Sequence, residues 1–235
     1  MNESRPPRRL TARVLLALAA LAVAAVLAAC GGDDSSSGTT AASGGSGSAE
    51  VPQELTVGSA QKILTLDPDL AADGYSEGVV HLLGGNLYEL GADRQVRPQL
   101  ADGDGVVSDD GLTWTFELRE GLRFSDGTPL TSEDVKATIE RAKSDRSNVY
   151  IGFVDPIERV EAPTPTKVVM HLNRPYPSLQ MVLSEPETTI FPKEGLAQGK
   201  SFFNAPVSAG QFMLESWGGS PRAVLVRNPN YAGDP

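Results

Sequence analysis

The chain has 235 residues and a formal net charge of −10, from 30 acidic and 20 basic side chains. Because a protein this acidic repels the phosphate backbone of DNA and RNA, we expect no nucleic-acid partner. Cys30 is the only cysteine, which excludes an intrachain disulfide. A folded domain must therefore be held together by its apolar core.

The first 29 residues have the pattern of an export signal. Several arginines precede Val14 to Ala29, a run of 16 residues that are all alanine, leucine or valine. This run is shorter than the about 20 residues that span a bilayer, and it suits the apolar part of a signal peptide. The pair Arg8-Arg9 leaves two export routes open, the general route and the twin-arginine route.

A lipid-attachment motif follows the apolar run. Leu27-Ala28-Ala29-Cys30 resembles the lipobox of bacterial lipoproteins, in which the cysteine is diacylated and becomes the new N-terminus. The resemblance implies a chain that is anchored to the outer, extracytoplasmic face of a membrane. Two acyl chains bury about 30 methylene groups at about 0.8 kcal/mol each, so the anchor would be stable. The alternatives are an ordinary signal peptide with a coincidental cysteine and a short membrane anchor.

Residues 30–52 predict a lipidated cysteine and a flexible tether. Gly31 to Glu50 consists of glycine, serine, threonine, alanine and acidic residues, which cannot bury a core. Such a segment reaches about 25 Å on average. Removal of residues 1–29 takes away four arginines and one glutamate, which leaves 16 basic and 29 acidic side chains and a net charge of −13. We expect one globular domain in residues 53–235, which is long enough for a sizeable core.

Apolar periodicity predicts the first elements of this domain. Leu55–Val57 predicts a strand, and residues 75–88 predict a helix that Gly84-Gly85 weakens by about 1 kcal/mol each. Between residues 112 and 118, large apolar and polar side chains alternate. This period of two indicates a half-buried strand with Trp114 in the core.

Turn and capping signals predict the elements in the remainder of the domain. Ser125-Asp126-Gly127 predicts a tight turn, and Thr131 with Asp134 predicts the start of a helix. Residues 160–172 predict a strand, a turn and a strand, and residues 210–226 predict a hairpin. The elements together predict an α+β fold in which helices pack on a mixed sheet.

Val107 to Val135 carries a dense series of motifs: S-D-D-G, T-W-T-F, L-R-x-G, F-S-D-G-T-P-L and E-D-V. The series resembles the family 5 solute-binding proteins of bacterial ABC importers, which handle peptides, nickel and related solutes. Weaker similarities flank it at Leu66–Pro68, Leu87–Glu89 and Arg227–Tyr231. The chain departs from the family pattern in three places: after Pro98–Ala101, at Ser208–Phe212, and at Ala232.

The resemblance implies a periplasmic-binding-protein-like lobe. In the family two lobes close on the ligand like a hinged trap, and full chains are about twice this length. Residues 53–235 would be the N-terminal lobe, with the second lobe absent and ligand binding by the single lobe weak. Whether the sequence alone or the gene product itself is truncated stays open. The implied protein is a monomer without a cofactor. It is not an enzyme, and it passes an oligopeptide or similar solute to an ABC permease.

The resemblance also implies where the ligand would lie. The implied contacts are Asp73, Gly74, Tyr75, Tyr150, Glu185, Glu187 and Tyr231. Because three of them are acidic, we expect a cationic or zwitterionic ligand rather than an anionic one. Each could instead be an ordinary surface or core residue.

Other readings of the sequence are weaker. Ser59 and Lys62 match the S-x-x-K of serine penicillin-binding proteins, but no K-T-G follows. Gly195 to Ser201 resembles a P-loop with one residue too few between its glycines. His81 and His171 are too isolated to suggest a metal site. A remnant that binds nothing is the remaining possibility.

Overall fold

The computed structural model describes residues 54–144, 148–218 and 222–233. The chain divides into two units, Met1–Leu55 and Thr56–Pro235, and only residues 54–55 of the first are described. The expected signal peptide, Cys30 and the expected tether lie outside the described residues. Within the described ranges, no helix has both the length and the apolar character needed to cross a membrane.

A four-stranded sheet forms the centre of the second unit, and its strands lie in the order β3-β4-β6-β5. They are β3 (Val106–Val107), β4 (Thr113–Glu117), β5 (Ile157–Thr164) and β6 (Lys167–Leu172). The sequence suggested a mixed sheet, but every described pairing is antiparallel. Short connections join β3 to β4 and β5 to β6, which favours antiparallel pairing within each of these two pairs. Two irregularities in register interrupt the pairing of β5 with β6.

Strand β4 confirms the predicted alternation. Trp114 and Phe116 are buried, while Thr113, Thr115 and Glu117 are more exposed. The two buried rings stack with centroids 5.9 Å apart. They belong to the main core, together with Val168 and Met170, their partners in register on β6.

Helix α2 (Ser132–Ser144) covers one face of this sheet and begins where the sequence predicted. The backbone N–H of Thr131 donates to Asp134 Oδ2 at 2.8 Å, which satisfies a donor that the first turn would leave unpaired. The apolar face of the helix is buried in the core through Val135, Ile139 and Ala142.

Helix α1 (Gly74–Leu83) ends earlier than predicted. Residues 84–87 leave the helix, and Tyr88 begins strand β1 (Tyr88–Leu90), which pairs with β2 (Val96–Pro98). The backbone is extended at Gly84, and a Cβ on Gly85 would lie 2.8 Å from the Cβ of Ala209. The glycine pair therefore permits a close approach of two chain segments and ends the helix. The strand predicted at Leu55–Val57 was also wrong, because these residues pair with no strand in the described part of the chain and Val57 is 79% exposed.

Shorter elements complete the fold. They are α3 (Ile151–Val154), α4 (Leu179–Val182), a 3-10 turn (Pro186–Thr188), α5 (Lys193–Leu196), a second 3-10 segment (Gly199–Asn204), β7 (Phe212–Ser216) and β8 (Val224–Arg227). Strands β7 and β8 form the predicted hairpin. The α+β class is confirmed.

An ion-pair clamp fixes the segment that leads into α1. Arg141 on α2 donates to Asp67 Oδ2 at 2.7 Å and to Asp69 Oδ2 at 2.5 Å. Both aspartates are almost fully buried, and the guanidinium also lies 4.8 Å from the ring centroid of Phe203. We call these three charged residues the Arg141 clamp. It holds the chain just before Asp73 against α2.

Candidate functional site

The first predicted contacts lie at the start of α1. Asp73 is the N-cap, and its Oδ1 accepts hydrogen bonds from the backbone N–H of Tyr75 at 3.2 Å and of Ser76 at 2.9 Å. Gly74 opens the helix with free space around it, and Tyr75 is 38% exposed. The carboxylate of Asp73 thus has a structural task and also places a negative charge at the helix terminus.

Tyr150 reaches this helix from a distant part of the chain. Its hydroxyl donates to Glu77 Oε1 and lies 3.2 Å from the carbonyl oxygen of Ala71. The hydrogen bond to Glu77 raises the pKa of Tyr150, and burial and the charges of Glu77, Glu187 and Asp73 raise it further. Its ring stacks on Phe153 with centroids 6.1 Å apart.

Glu187 supplies a buried carboxylate. It lies in the 3-10 turn and is 8% exposed, and its Oε2 has no hydrogen-bond partner among the described residues. Burial raises the pKa of Glu187. A hydrogen bond with its own backbone opposes this effect, and the negative charges of Glu185 and Glu77 add to the upward shift. A carboxylate in this position is costly to ionise without a partner.

Asn86 ties the 3-10 turn to the end of α1. Its Nδ2 donates to the carbonyl of Glu185 at 2.7 Å and to Thr188 Oγ1 at 3.1 Å. The hydroxyl of Thr189 lies 3.3 Å from Asn86 Oδ1. These bonds fix the backbone on both sides of Glu187, so the carboxylate is held by the fold rather than by a free loop.

Four of the predicted residues therefore lie together, although they come from three separate segments. We call the group the acidic cluster: Asp73, Glu77, Tyr150, Glu185 and Glu187. Glu77 was missed by sequence reasoning. Its position one helical turn after the N-cap Asp73 was the available signal, because residues four apart share a helix face.

Tyr231 lies apart from the acidic cluster. Its backbone N–H bonds to the carbonyl of Asn228 at 3.3 Å, and the neighbouring Asn230 donates to the carbonyl of Ser125 at 3.2 Å. It thus lies close to the predicted Ser125–Gly127 turn, and no described contact joins it to the acidic cluster.

The alternative motifs show no catalytic arrangement. Ser59 lies outside any helix, is exposed, and donates to the carbonyl of Gln61 at 2.5 Å. Gly195 lies within the short helix α5 rather than after a buried strand. Within the described ranges, no group of three or more histidine, cysteine or acidic side chains is placed to hold a metal ion.

Glu187→Gln is expected to remove a pH dependence of stability. Because the folded-state pKa of Glu187 is raised above its usual 4.5, its stabilising contribution is complete below that pH and is lost as the pH rises through the folded pKa. The free energy of unfolding of the wild type should therefore fall, relative to the variant, as the pH increases above about 4.5.

Urea unfolding of both proteins at a series of pH values between 4 and 8 measures this difference. Glu194→Gln is the matched control, since Glu194 is exposed on α5. A difference between wild type and Glu187→Gln that stayed constant with pH would contradict the expectation.

Comparisons with known proteins identify relatives of this chain. Residues 95–235 match the model of the bacterial extracellular solute-binding proteins, family 5 middle. The glutathione-binding protein GsiB of Escherichia coli O1:K1 / APEC is 33% identical over 183 residues, which are 77% of this chain and 35% of that protein. This chain thus spans about a third of the length of the curated relatives it matches.

Two solved structures of solute-binding proteins have a fold similar to that of this chain. The binding protein AgaA of A. tumefacien R10, in complex with agropinic acid, is 30% identical with a TM-score of 0.68, over 73% of this chain and 35% of that one. Listeria monocytogenes OppA bound to peptide is 21% identical with a TM-score of 0.66, over 72% of this chain and 37% of that one, and shows the shared fold.

Proposed function

Because this chain belongs to family 5 of the bacterial extracellular solute-binding proteins, we propose that it is the lipid-anchored solute-binding component of an ABC importer. It captures a peptide or similar small solute outside the cytoplasm and passes it to a membrane permease. The function requires no covalent chemistry and no cofactor. The protein acts as a monomer.

The proposal assigns a part to each segment. Residues 1–29 are the signal peptide, Cys30 to residue 52 form the lipidated tether, and residues 53–235 form the N-terminal lobe of the solute-binding domain. The proposed ligand contacts are Asp73, Gly74, Tyr75, Tyr150, Glu185 and Glu187, to which we add Glu77. Tyr231 is proposed as a further contact at a separate position in the lobe.

The buried carboxylate of Glu187, whose Oε2 has no hydrogen-bond partner among the described residues and which lies near Tyr150 and Glu77, is the observation that carries the proposal. Folded proteins rarely leave such a group without a partner, and a bound molecule that supplies the partner is one explanation. The ligands of two relatives, glutathione for GsiB and peptide for OppA, are the kinds of polar solute that such a group can bind.

Chemical-shift mapping tests the proposal. We expect a mixture of random tripeptides, added to the ¹⁵N-labelled chain, to shift the backbone amides at the start of α1 and in residues 185–188. Amides on α5 serve as an internal control. If no amide shifts, or if only amides remote from the acidic cluster shift, the proposed ligand site is wrong.

Cys30→Ser is expected to release the protein from the membrane. The substitution removes the thiol that the acyl chains require, and with it the stable attachment. Cells that express either protein are fractionated, and the chain is quantified in the membrane and soluble fractions. Ser35→Ala, in the expected tether, is the matched control and should stay with the membrane. A Cys30→Ser protein found in the membrane at the wild-type level would contradict lipid anchoring.

A further inference from the structure

We propose that the bond between Asp102 and Gly103 is a site of covalent self-modification, at which the aspartate cyclises to a succinimide that opens to isoaspartate. The pair lies between Ala101 and β3, in the segment where the chain departs from the family pattern. The reaction needs no enzyme, because its reactants are the aspartate, the nitrogen of the following residue and water.

The sequence contains five candidates for this chemistry. An aspartate followed by glycine is especially prone to it, because glycine has no side chain to hinder the approach of its nitrogen to the carboxyl carbon. Five such pairs occur in the chain, and they begin at Asp73, Asp102, Asp104, Asp110 and Asp126. Since the dipeptide is the same in all five, we expect the fold to decide which of them reacts.

Hydrogen bonds restrain the pairs that begin at Asp110 and Asp126. The backbone N–H groups of Gly111 and Gly127 donate to carbonyls three positions earlier, at 2.8 and 2.9 Å. Each aspartate also accepts two hydrogen bonds within its own turn. Ring closure would first have to break these bonds, which raises its barrier.

The pairs that begin at Asp73 and Asp104 are restrained in other ways. Asp73 Oδ1 accepts two backbone hydrogen bonds as the N-cap of α1. The backbone of Gly105 hydrogen-bonds to the hydroxyl of Tyr88, and Gly105 packs so closely on the ring of Phe116 that no Cβ would fit there. The carboxylate of the first pair and the glycine of the second are therefore held in place.

The pair that begins at Asp102 lacks these restraints. Among the described residues, no hydrogen bond involves the carboxylate of Asp102 or the backbone N–H of Gly103. Both residues are exposed, and the space that a Cβ on Gly103 would occupy is empty to 4 Å. Gly103 has a φ of +87°, which glycine adopts without strain. The nitrogen and the carboxyl carbon can therefore approach each other while the domain stays folded.

The reaction balances without an oxidant or a cofactor. The Asp102 carboxylate takes a proton from solvent, the Gly103 nitrogen forms a bond to Cγ, and the carboxyl OH leaves with the amide proton as water. A second water molecule opens the ring and returns the proton to solvent. Where it breaks the bond between the main-chain carbonyl carbon and the nitrogen, the backbone runs through Cβ and Cγ and is one methylene longer.

The product alters two contacts that position this loop. The carbonyl of Gly103 accepts a hydrogen bond from the hydroxyl of the buried Tyr88 at 3.1 Å. The backbone N–H of Asp102 donates to the carbonyl of Glu117 on β4 at 2.8 Å. Because these bonds hold both ends of the pair, an extra methylene between them displaces at least one, and we expect the modified chain to be less stable.

The test follows isoaspartate in the whole folded chain during incubation at pH 7.5. Samples are digested, a protein-isoaspartate methyltransferase labels the modified residues, and peptide mapping locates the label. We expect Asp102 to react at least about tenfold faster than Asp110 or Asp126, which corresponds to about 1.4 kcal/mol in the barrier. In concentrated urea, which removes the hydrogen bonds of the fold, all five pairs should react at similar rates.

Two variants identify the reacting residue. Asp102→Glu should abolish the fast labelling, because a longer side chain closes its ring much more slowly. Asp109→Glu is the matched control and should keep it, since Asp109 is exposed and precedes an aspartate instead of a glycine. Circular dichroism reports whether each variant is folded.

Three results would overturn the inference. The first is a similar rate at Asp102, Asp110 and Asp126 in the folded wild type. The second is a preference for Asp102 that persists in urea, because its cause would then lie in the local sequence and not in the fold. The third is fast labelling that remains in Asp102→Glu.

Discussion

Replacement of Arg141 by alanine is expected to cost about 3–5 kcal/mol of folding free energy. The arginine pairs with Asp67 and Asp69, whose side chains are only 3% and 2% exposed. Without it, the two buried carboxylates would lose the guanidinium that they share, and the packing on Phe203 would be lost. Since domains of this size have about 5–15 kcal/mol in total, the variant should be close to unfolding.

Urea unfolding followed by circular dichroism measures the loss. Arg174→Ala is the matched control, because Arg174 and its partner Asp155 are 55% and 65% exposed and their atoms lie 3.6 Å apart. Exposed pairs contribute about 0–1 kcal/mol, so this variant should resemble the wild type. A cost below about 1 kcal/mol for Arg141→Ala would show that the clamp does not stabilise the fold.

Trp114→Ala is expected to have a similar effect, about 3–5 kcal/mol, through a cavity in the main core. Trp114 is 8% exposed, stacks on Phe116, and lies opposite Met170 on β6. Its ring nitrogen has no hydrogen-bond partner among the described residues, so the expected cost is attributed to lost packing. Its predicted place in the core is confirmed, and that it contacts no ligand stays a prediction.

Trp114→Phe provides the comparison, because it keeps an aromatic ring and loses no described hydrogen bond. We expect it to cost clearly less than the alanine variant. Fluorescence in a Trp217→Phe background should show a blue-shifted emission from Trp114. Emission typical of a water-exposed indole, or equal costs for the two variants, would contradict the role in the core.

Local sequence patterns were sufficient to predict the elements that interactions between nearby residues determine. The alternation around Trp114 is a direct consequence of strand geometry, and Asp134 caps its helix through atoms three residues away. The end of α1 was not predictable in this way. It depends on the approach of Ala209 to Gly85, which lie more than a hundred positions apart.

The candidate site was predictable only in part for the same reason. The family resemblance supplied Asp73, Tyr150, Glu185 and Glu187, but no pattern in the sequence links Tyr150 to Glu77, which lies 73 positions earlier. The Arg141 clamp was missed because an aspartate before a proline, as in Asp67-Pro68, reads as a turn signal rather than as half of a buried ion pair.

The two edges of the central sheet affect how the protein tolerates crowding by other copies of itself. Strand β3 has only two residues, and although Val106 and Val107 are 71% and 46% exposed, acidic residues lie on both sides of it. Strand β5 at the opposite edge is interrupted by two irregularities. Short, charged or bulged edges offer a poor template for another strand. Neighbouring copies at high local concentration should therefore remain separate rather than join their sheets.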